Sequence, residues 1–194
     1  QLKGTRVEPG LIAILVIVGL AIIAVLAVIA IYNGLVTKRV ACEDGWAQID
    51  VHLKRRYDLI PNLVETVKGY ASHERETLEA VVKARQQAID ASGVEDQAMA
   101  ENLLSGALRQ LFALSEAYPD LKANENFLQL QGELSSTEDK IANAREYYNS
   151  QVRVYNTAAQ QFPANIIAGM FNFQQREFFE VEDETIKEAP KVSF

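Results

Sequence analysis

The chain has 194 residues, a net charge of −7, one cysteine and two histidines. This acidic balance, with no basic stripe carrying interleaved aromatics, argues against a nucleic-acid partner. A lone Cys42 can build neither an internal disulfide nor a thiolate metal site, and His52 and His73 share neither one helical turn nor an HExxH spacing, so no metal or cofactor site is legible.

A short N-terminal flank, residues 1–10, carries Lys3 and Arg6. Leu11 to Ile31 then contains only Ala, Val, Ile, Leu and one Gly. At about 1.5 Å per residue it covers about 32 Å, against roughly 30 Å of bilayer hydrocarbon, so residues 11–32 are predicted to be a single transmembrane helix. A secretory signal has a shorter apolar region of about 7–15 residues and a small-residue cleavage site, which Val28-Ile29-Ala30-Ile31 does not offer. Ala21, Ala24, Ala27 and Ala30, with Gly34, make a small-residue stripe that would suit contact between spans. Lys3 and Arg6 before the run balance Lys38 and Arg39 after it, so the basic-residue count assigns the following domain to neither side of the cell membrane.

Residues 33–163 read as one helical domain without the two-residue alternation of strands. Trp46, Ile49, Leu53, Tyr57, Ile60, Val64 and Val67 share one helix face, with a kink expected at Pro61 because it removes the bond to the Tyr57 carbonyl. Ser72 is the expected N-cap of the next helix, Glu74 to Ala91, which breaks at Ser92-Gly93. Val94 to Tyr118 follows, with Leu103, Leu104, Leu108, Leu111 and Phe112 expected inward, and Pro119 ends it. From about Asn124 a seam of Phe127, Leu130, Leu134, Thr137, Ile141, Ala144, Tyr148, Val152, Tyr155, Ala159 and Phe162 has the spacing of coiled-coil or bundle packing, stopped by Pro163.

The expected fold is therefore all-α: one N-terminal transmembrane helix followed by an antiparallel bundle of about four long helices. That register sets Arg145 near Asp50 and His52, and Arg55 or Arg56 near Glu138 and Asp139, as cross-helix polar pairs. The alternative is that each charge is solvated on its own helix, where exposed pairs contribute little. Residues 164–179 form an apolar segment in which Ile166, Ile167, Met170, Phe171 and Phe173 need a cover. The membrane interface and a groove on the bundle or a neighbouring subunit are the two options. Residues 180–194, with Glu180, Glu182, Asp183, Glu184 and Glu188, read as a solvated acidic tail.

Several blocks in order carry a family resemblance. Tyr32-Asn33-Gly34-Leu35-Val36, Trp46-Ala47-Gln48-Ile49-Asp50-Val51, the stretch Leu53 to Val64, Glu116 to Leu121, Asn124 to Phe127, Ala144-Arg145, Tyr155-Asn156 and Phe162-Pro163-Ala164-Asn165 resemble the LemA family. Two places depart from it: Asn172-Phe173, where Gly-Phe is expected, and Arg75, where a capping-box Glu would stand after Ser72. The resemblance implies a bacterial single-pass membrane protein with a long-helix bundle, no catalytic residues and no established enzymatic activity. It also implies a link to membrane-compartment formation in some relatives and a neighbouring membrane metalloprotease in others. The function expected is a non-enzymatic, membrane-anchored scaffold that forms a homo-oligomer and organises membrane or partner proteins. The alternative is an adaptor or regulatory subunit of a membrane protease or signalling protein.

Overall fold

A computed structural model describes residues 9–180. Lys3 and Arg6 of the flank, and Glu182, Asp183, Glu184 and Glu188 of the acidic tail, lie outside the described residues. Among the described residues every regular element is a helix. There are six: α1 (Pro9–Lys68), α2 (Arg75–Asp90), α3 (Val94–Ser115), α4 (Pro119–Lys122), α5 (Glu125–Gln160) and α6 (Ala164–Met170). Where a span and about four bundle helices are expected, the span and the first bundle segment are one element, α1, and the single turn α4 and the short α6 are additional to the long helices. The chain divides into two compact units, one comprising residues up to Ala41 with Arg153–Arg176, the other Cys42–Val152 with residues from Glu177 onward.

In the second unit the core gathers Ile60, Leu63 and Val67 of α1, Val81 and Ala88 of α2, Leu104 and Leu111 of α3, Leu121 of α4 and Phe127 and Leu134 of α5. Helices α1 and α5 run antiparallel there. Gly45 abuts Tyr148, Arg55 bonds Glu133 and Tyr70 accepts from Asn124. This close approach favours glycine, because a Cβ on Gly45 would sit 3.2 Å from the Tyr148 Cα. Helix α1 continues through Pro61, whose missing N–H leaves the Tyr57 carbonyl without its helical donor; Arg85 Nε fills the place at 2.8 Å.

Two local expectations for this unit are corrected. Ser72 does not cap α2. The N-cap is Glu74, without a side-chain cap bond, and its carboxylate accepts from the Tyr118 hydroxyl at 2.9 Å. The preceding turn is closed by main-chain bonds, Ala71 to Val67 and Glu74 to Ala71, which displaces Ser72 from the helix start. Leu103 is 59% exposed, since Leu104, Leu108 and Leu111 already define the buried face and Leu103 lies about 100° round from it. The other boundaries follow from capping: Gly93, at φ 90, precedes α3, and Asn124 accepts from the Phe127 amide at 3.0 Å to start α5.

In the first unit, residues 11–30 of α1 are exposed along their length apart from half-buried Gly19. This is the one helix among the described residues long and apolar enough to cross a membrane. Leu35, Tyr155, Ala159, Ile167, Ala168 and Phe173 are buried. Phe162, expected in the α5 seam, is instead 81% exposed because α5 ends at Gln160, before it. Helix α6 closes with Asn172 in the left-handed conformation (φ 56) and the Phe173 amide bonded back to the Ala168 carbonyl at 2.9 Å. That is a Schellman ending, which glycine usually serves and Asn tolerates best among the other residues.

Candidate functional site

Arg56 occupies a core position of α1, between Leu53 and Ile60, and is 1% exposed. A buried guanidinium must be neutralised and hydrogen-bonded. Its Nη1 donates to Glu101 Oε2 at 2.7 Å, and its Nη2 donates to Ser105 Oγ at 2.8 Å and to Glu138 Oε1 at 2.8 Å. Arg56 therefore ties α1 to α3 and α5. The other oxygen of Glu101 accepts from the Tyr57 hydroxyl and from Gln97 Nε2, the latter at 2.9 Å. Gln97 Nε2 also donates to the Ala88 carbonyl at 3.1 Å, one of the acceptors that the end of α2 leaves without a helical donor. Arg56 Nε is buried without a hydrogen-bond partner.

The electrostatics favour a tie. Burial, then the hydrogen bond to Glu101, drive the Tyr57 hydroxyl well above its ordinary range, so it stays protonated and donates. Burial also raises Glu138 above the ordinary carboxylate range, with Glu101 and Asp139 adding to the shift and Arg56 and Arg145 opposing it. Two carboxylates share one buried guanidinium, and Glu138, at the more exposed end, takes the strain of the excess negative charge. A groove of about 460 Å³ opens beside this cluster, lined by Ser105, Arg109, Gln131, Ser135 and Asp139 among others. Among the described residues no three His, Cys, Asp or Glu side chains are grouped to hold a metal ion.

A second device recurs on α5, once in each unit. In the first unit Asn156 brackets Arg176, accepting from its amide and donating to its carbonyl, both at 2.9 Å, while the Tyr155 hydroxyl donates to the Gln174 carbonyl at 2.8 Å. In the second unit Asn149 brackets Phe179 in the same way, at 2.8 and 3.1 Å, and Tyr148 donates to the Glu177 carbonyl at 2.9 Å. The Tyr-Asn pairs lie seven residues apart and their targets three. Seven helical residues rise about 10.5 Å and three extended residues about 10 Å, so the two repeats match in length. Each asparagine thus offers extended main chain the donor and acceptor that a neighbouring strand would.

Of the residues singled out from sequence, Arg56 meets Glu138, and Arg55 pairs with Glu133 at 2.6 Å rather than with Glu138 or Asp139. Asp50, Asp139 and Arg145 enter no ion pair among the described residues. Asp50 and Asp139 are exposed, where water solvates a charge as well as a partner would, and Arg145 is only half-buried. Ala21, Ala24, Ala27 and Ala30 are exposed and Gly34 has open space around it. Ile167 and Phe173 are buried in the first unit, whereas Ile166, Met170 and Phe171 are exposed. The sequence reading missed Glu101, Gln97, Asn149 and Asn156. The signals were polar residues at core positions of α3 and the repeated Tyr-Asn pair of α5.

Comparison with known proteins supplies the context. A family model described as the LemA family matches residues 45–194. Magnetosome protein MamQ 1 of Paramagnetospirillum magneticum is 25% identical, across 87% of this chain and 72% of that protein. Magnetosome protein MamQ of Magnetospirillum gryphiswaldense is also 25% identical, across 76% and 64%. Protein LemA of Metamycoplasma hominis is 27% identical, across 67% and 60%. The family match takes in most of the chain, including the Arg56 cluster and both Tyr-Asn pairs: the chain belongs to the LemA family.

Proposed function

We propose that this protein is a non-enzymatic, membrane-anchored helical scaffold that self-assembles at the cell membrane and organises membrane or partner proteins there. The observation that carries this reading is the use made of the buried charge. Arg56, Glu101 and Glu138 face one another and tie α1, α3 and α5 into a specific packing. The same α1 carries the apolar run that is long enough to cross a membrane. Two relatives are named as magnetosome proteins, which agrees with a role at membranes. Tethering in one plane concentrates the copies, so weak lateral contacts, such as those of the Ala21 to Gly34 stripe, are amplified by effective concentration.

An adaptor role for a membrane protein, a metalloprotease for example, is the second reading. It is favoured by a groove of about 810 Å³ between α1 and α2, in which Val64, Leu78 and Val82 are flanked by Lys68, Arg75 and Lys83. Such a groove has the apolar floor and charged rim that suit an amphipathic partner helix. Mass photometry of the protein extracted in native lipid particles separates the two. A defined multi-copy particle is the scaffold's expected result. A single copy with a stoichiometric second protein would replace it with the adaptor.

A further inference from the structure

We infer that α6 and the residues flanking it form an interfacial membrane segment, laying Phe162, Ile166, Met170 and Phe171 into the boundary between lipid headgroups and acyl chains. The inference rests on the reading of residues 11–32 as a membrane span. Within the first unit Phe171 packs edge-on against Tyr32 with ring centroids 4.9 Å apart, and Phe173 meets the same ring at 5.4 Å. Tyr32 directly follows the apolar run, at the level where tyrosine and tryptophan belts collect in membrane proteins. The contact therefore brings α6 to the end of the hydrocarbon-spanning segment. Ile167 and Ala168 of α6 are buried, while Met170 is 71% exposed and Ile166 about half; of the residues flanking the helix, Phe162 is 81% exposed and Phe171 about half.

Lipid fits this face better than a second copy of the chain. The four side chains offer roughly 600 Å² of apolar surface, below the roughly 800 Å² per partner of a standard stable interface. The face is also continuous with surface already suited to lipid, through Tyr32. Arg39 lies over the Phe173 ring at 5.2 Å, and Lys38 precedes it; from about two turns beyond Tyr32 their long side chains can reach lipid phosphates. Apolar side chains below and cations above give the polarity gradient an interfacial helix needs.

The test uses the full chain in bilayers carrying lipids brominated near the glycerol backbone or deep in the acyl chain. Single tryptophans are introduced as Met170→Trp, Leu20→Trp and Leu103→Trp in a Trp46→Phe background. The expected pattern is strongest quenching of Met170→Trp by the shallow label, of Leu20→Trp by the deep label, and of Leu103→Trp by neither. If Leu20→Trp is quenched and Met170→Trp is not, the span stands and the interfacial helix is refuted. If neither is quenched, the span itself fails. Shielding of Met170→Trp that grows with protein-to-lipid ratio would assign the face to a second copy. A spin label at Met170→Cys in Cys42→Ala gives an independent readout that keeps Trp46: preferential collision with oxygen over a water-soluble nickel complex is expected, and the reverse overturns the inference.

Discussion

The Arg56 cluster and the asparagine brackets hold the chain by opposite means. The cluster joins side chain to side chain through buried charge, so every member must be the right residue in the right place. The brackets join side chain to main chain through neutral amides, so the residues held, Gln174 to Phe179, contribute only their backbone at those bonds. One device specifies how helices meet. The other holds main chain directly, while a side chain of the held stretch packs on its own account, as buried Phe179 does against Trp46.

The sharpest way to break this contrast is to remove the charge on one side. Arg56→Met leaves Glu101 buried without its cation, and breaking a buried pair costs about 3–5 kcal/mol. Adding Glu101→Leu to Arg56→Met should recover much of that loss, since apolar replacement of a whole buried pair is often neutral. Chemical unfolding of the full chain in detergent measures both. A double variant no more stable than the single would show that the cluster's hydrogen bonds to Tyr57, Gln97 and Ser105, and not its charge balance, hold the helices.

The brackets should respond less, and locally. Asn156→Ala removes two bonds to the Arg176 main chain, a loss of about 1–3 kcal/mol expected to stay local to that stretch. Hydrogen exchange at Arg176 should accelerate while core amides of α3 stay protected. Asn156→Asp keeps the acceptor and loses the donor, so it should fall between. Replacing the exposed Gln175 side chain should change nothing measurable, and a large effect there would contradict brackets that act on main chain.

These two devices were legible to different degrees. The starts and ends of α2, α3 and α5 lie within a few residues of the sequence reading, because Gly93, Pro119 and the apolar periodicity act through local physics. Arg56 stood in plain view at a core spacing, yet its partner Glu101 is 45 residues away and no periodicity names it. Leu103 and Leu104 are indistinguishable by hydrophobicity, and only the face set by packing separates them. The Tyr-Asn repeat was visible as a heptad spacing, but what it holds is extended main chain, which carries no side-chain pattern. Asn172 stood out only as a departure from the glycine that the resemblance implies, and the left-handed turn it occupies is one that glycine serves most readily.

A smaller, pH-dependent effect follows from Glu138. Burial raises its folded-state pKa above the ordinary value of 4.5, so the folded chain holds the proton more tightly than the unfolded chain. The stability this gives is fully present below the unfolded value and is lost as pH rises through the folded one. Glu138→Gln cannot ionise and still offers Arg56 an acceptor, so its stability relative to the parent should improve as pH climbs from the acidic range to neutrality. Parallel denaturation curves across that range check the slope. A difference that does not change with pH would mean that Glu138 titrates alike in both states.

The smallest expected effect lies at Asn172. A residue with a Cβ in the left-handed region carries a strain of roughly 1–2 kcal/mol, and Asn carries less than most. Asn172→Gly relieves it but gives the unfolded chain more freedom to lose on folding, so the net gain should be under about 1 kcal/mol. Asn172→Ala keeps the strain without the asparagine's tolerance of that conformation, and should loosen the end of α6. The Phe173 amide, bonded to the Ala168 carbonyl, reports this directly through hydrogen exchange. Slower exchange in Asn172→Gly and faster exchange in Asn172→Ala would trace the effect to backbone conformation. If the two variants matched, the left-handed turn would not be what holds α6 closed, and the buried Phe173 ring against Tyr32 and Arg39 would be the remaining anchor.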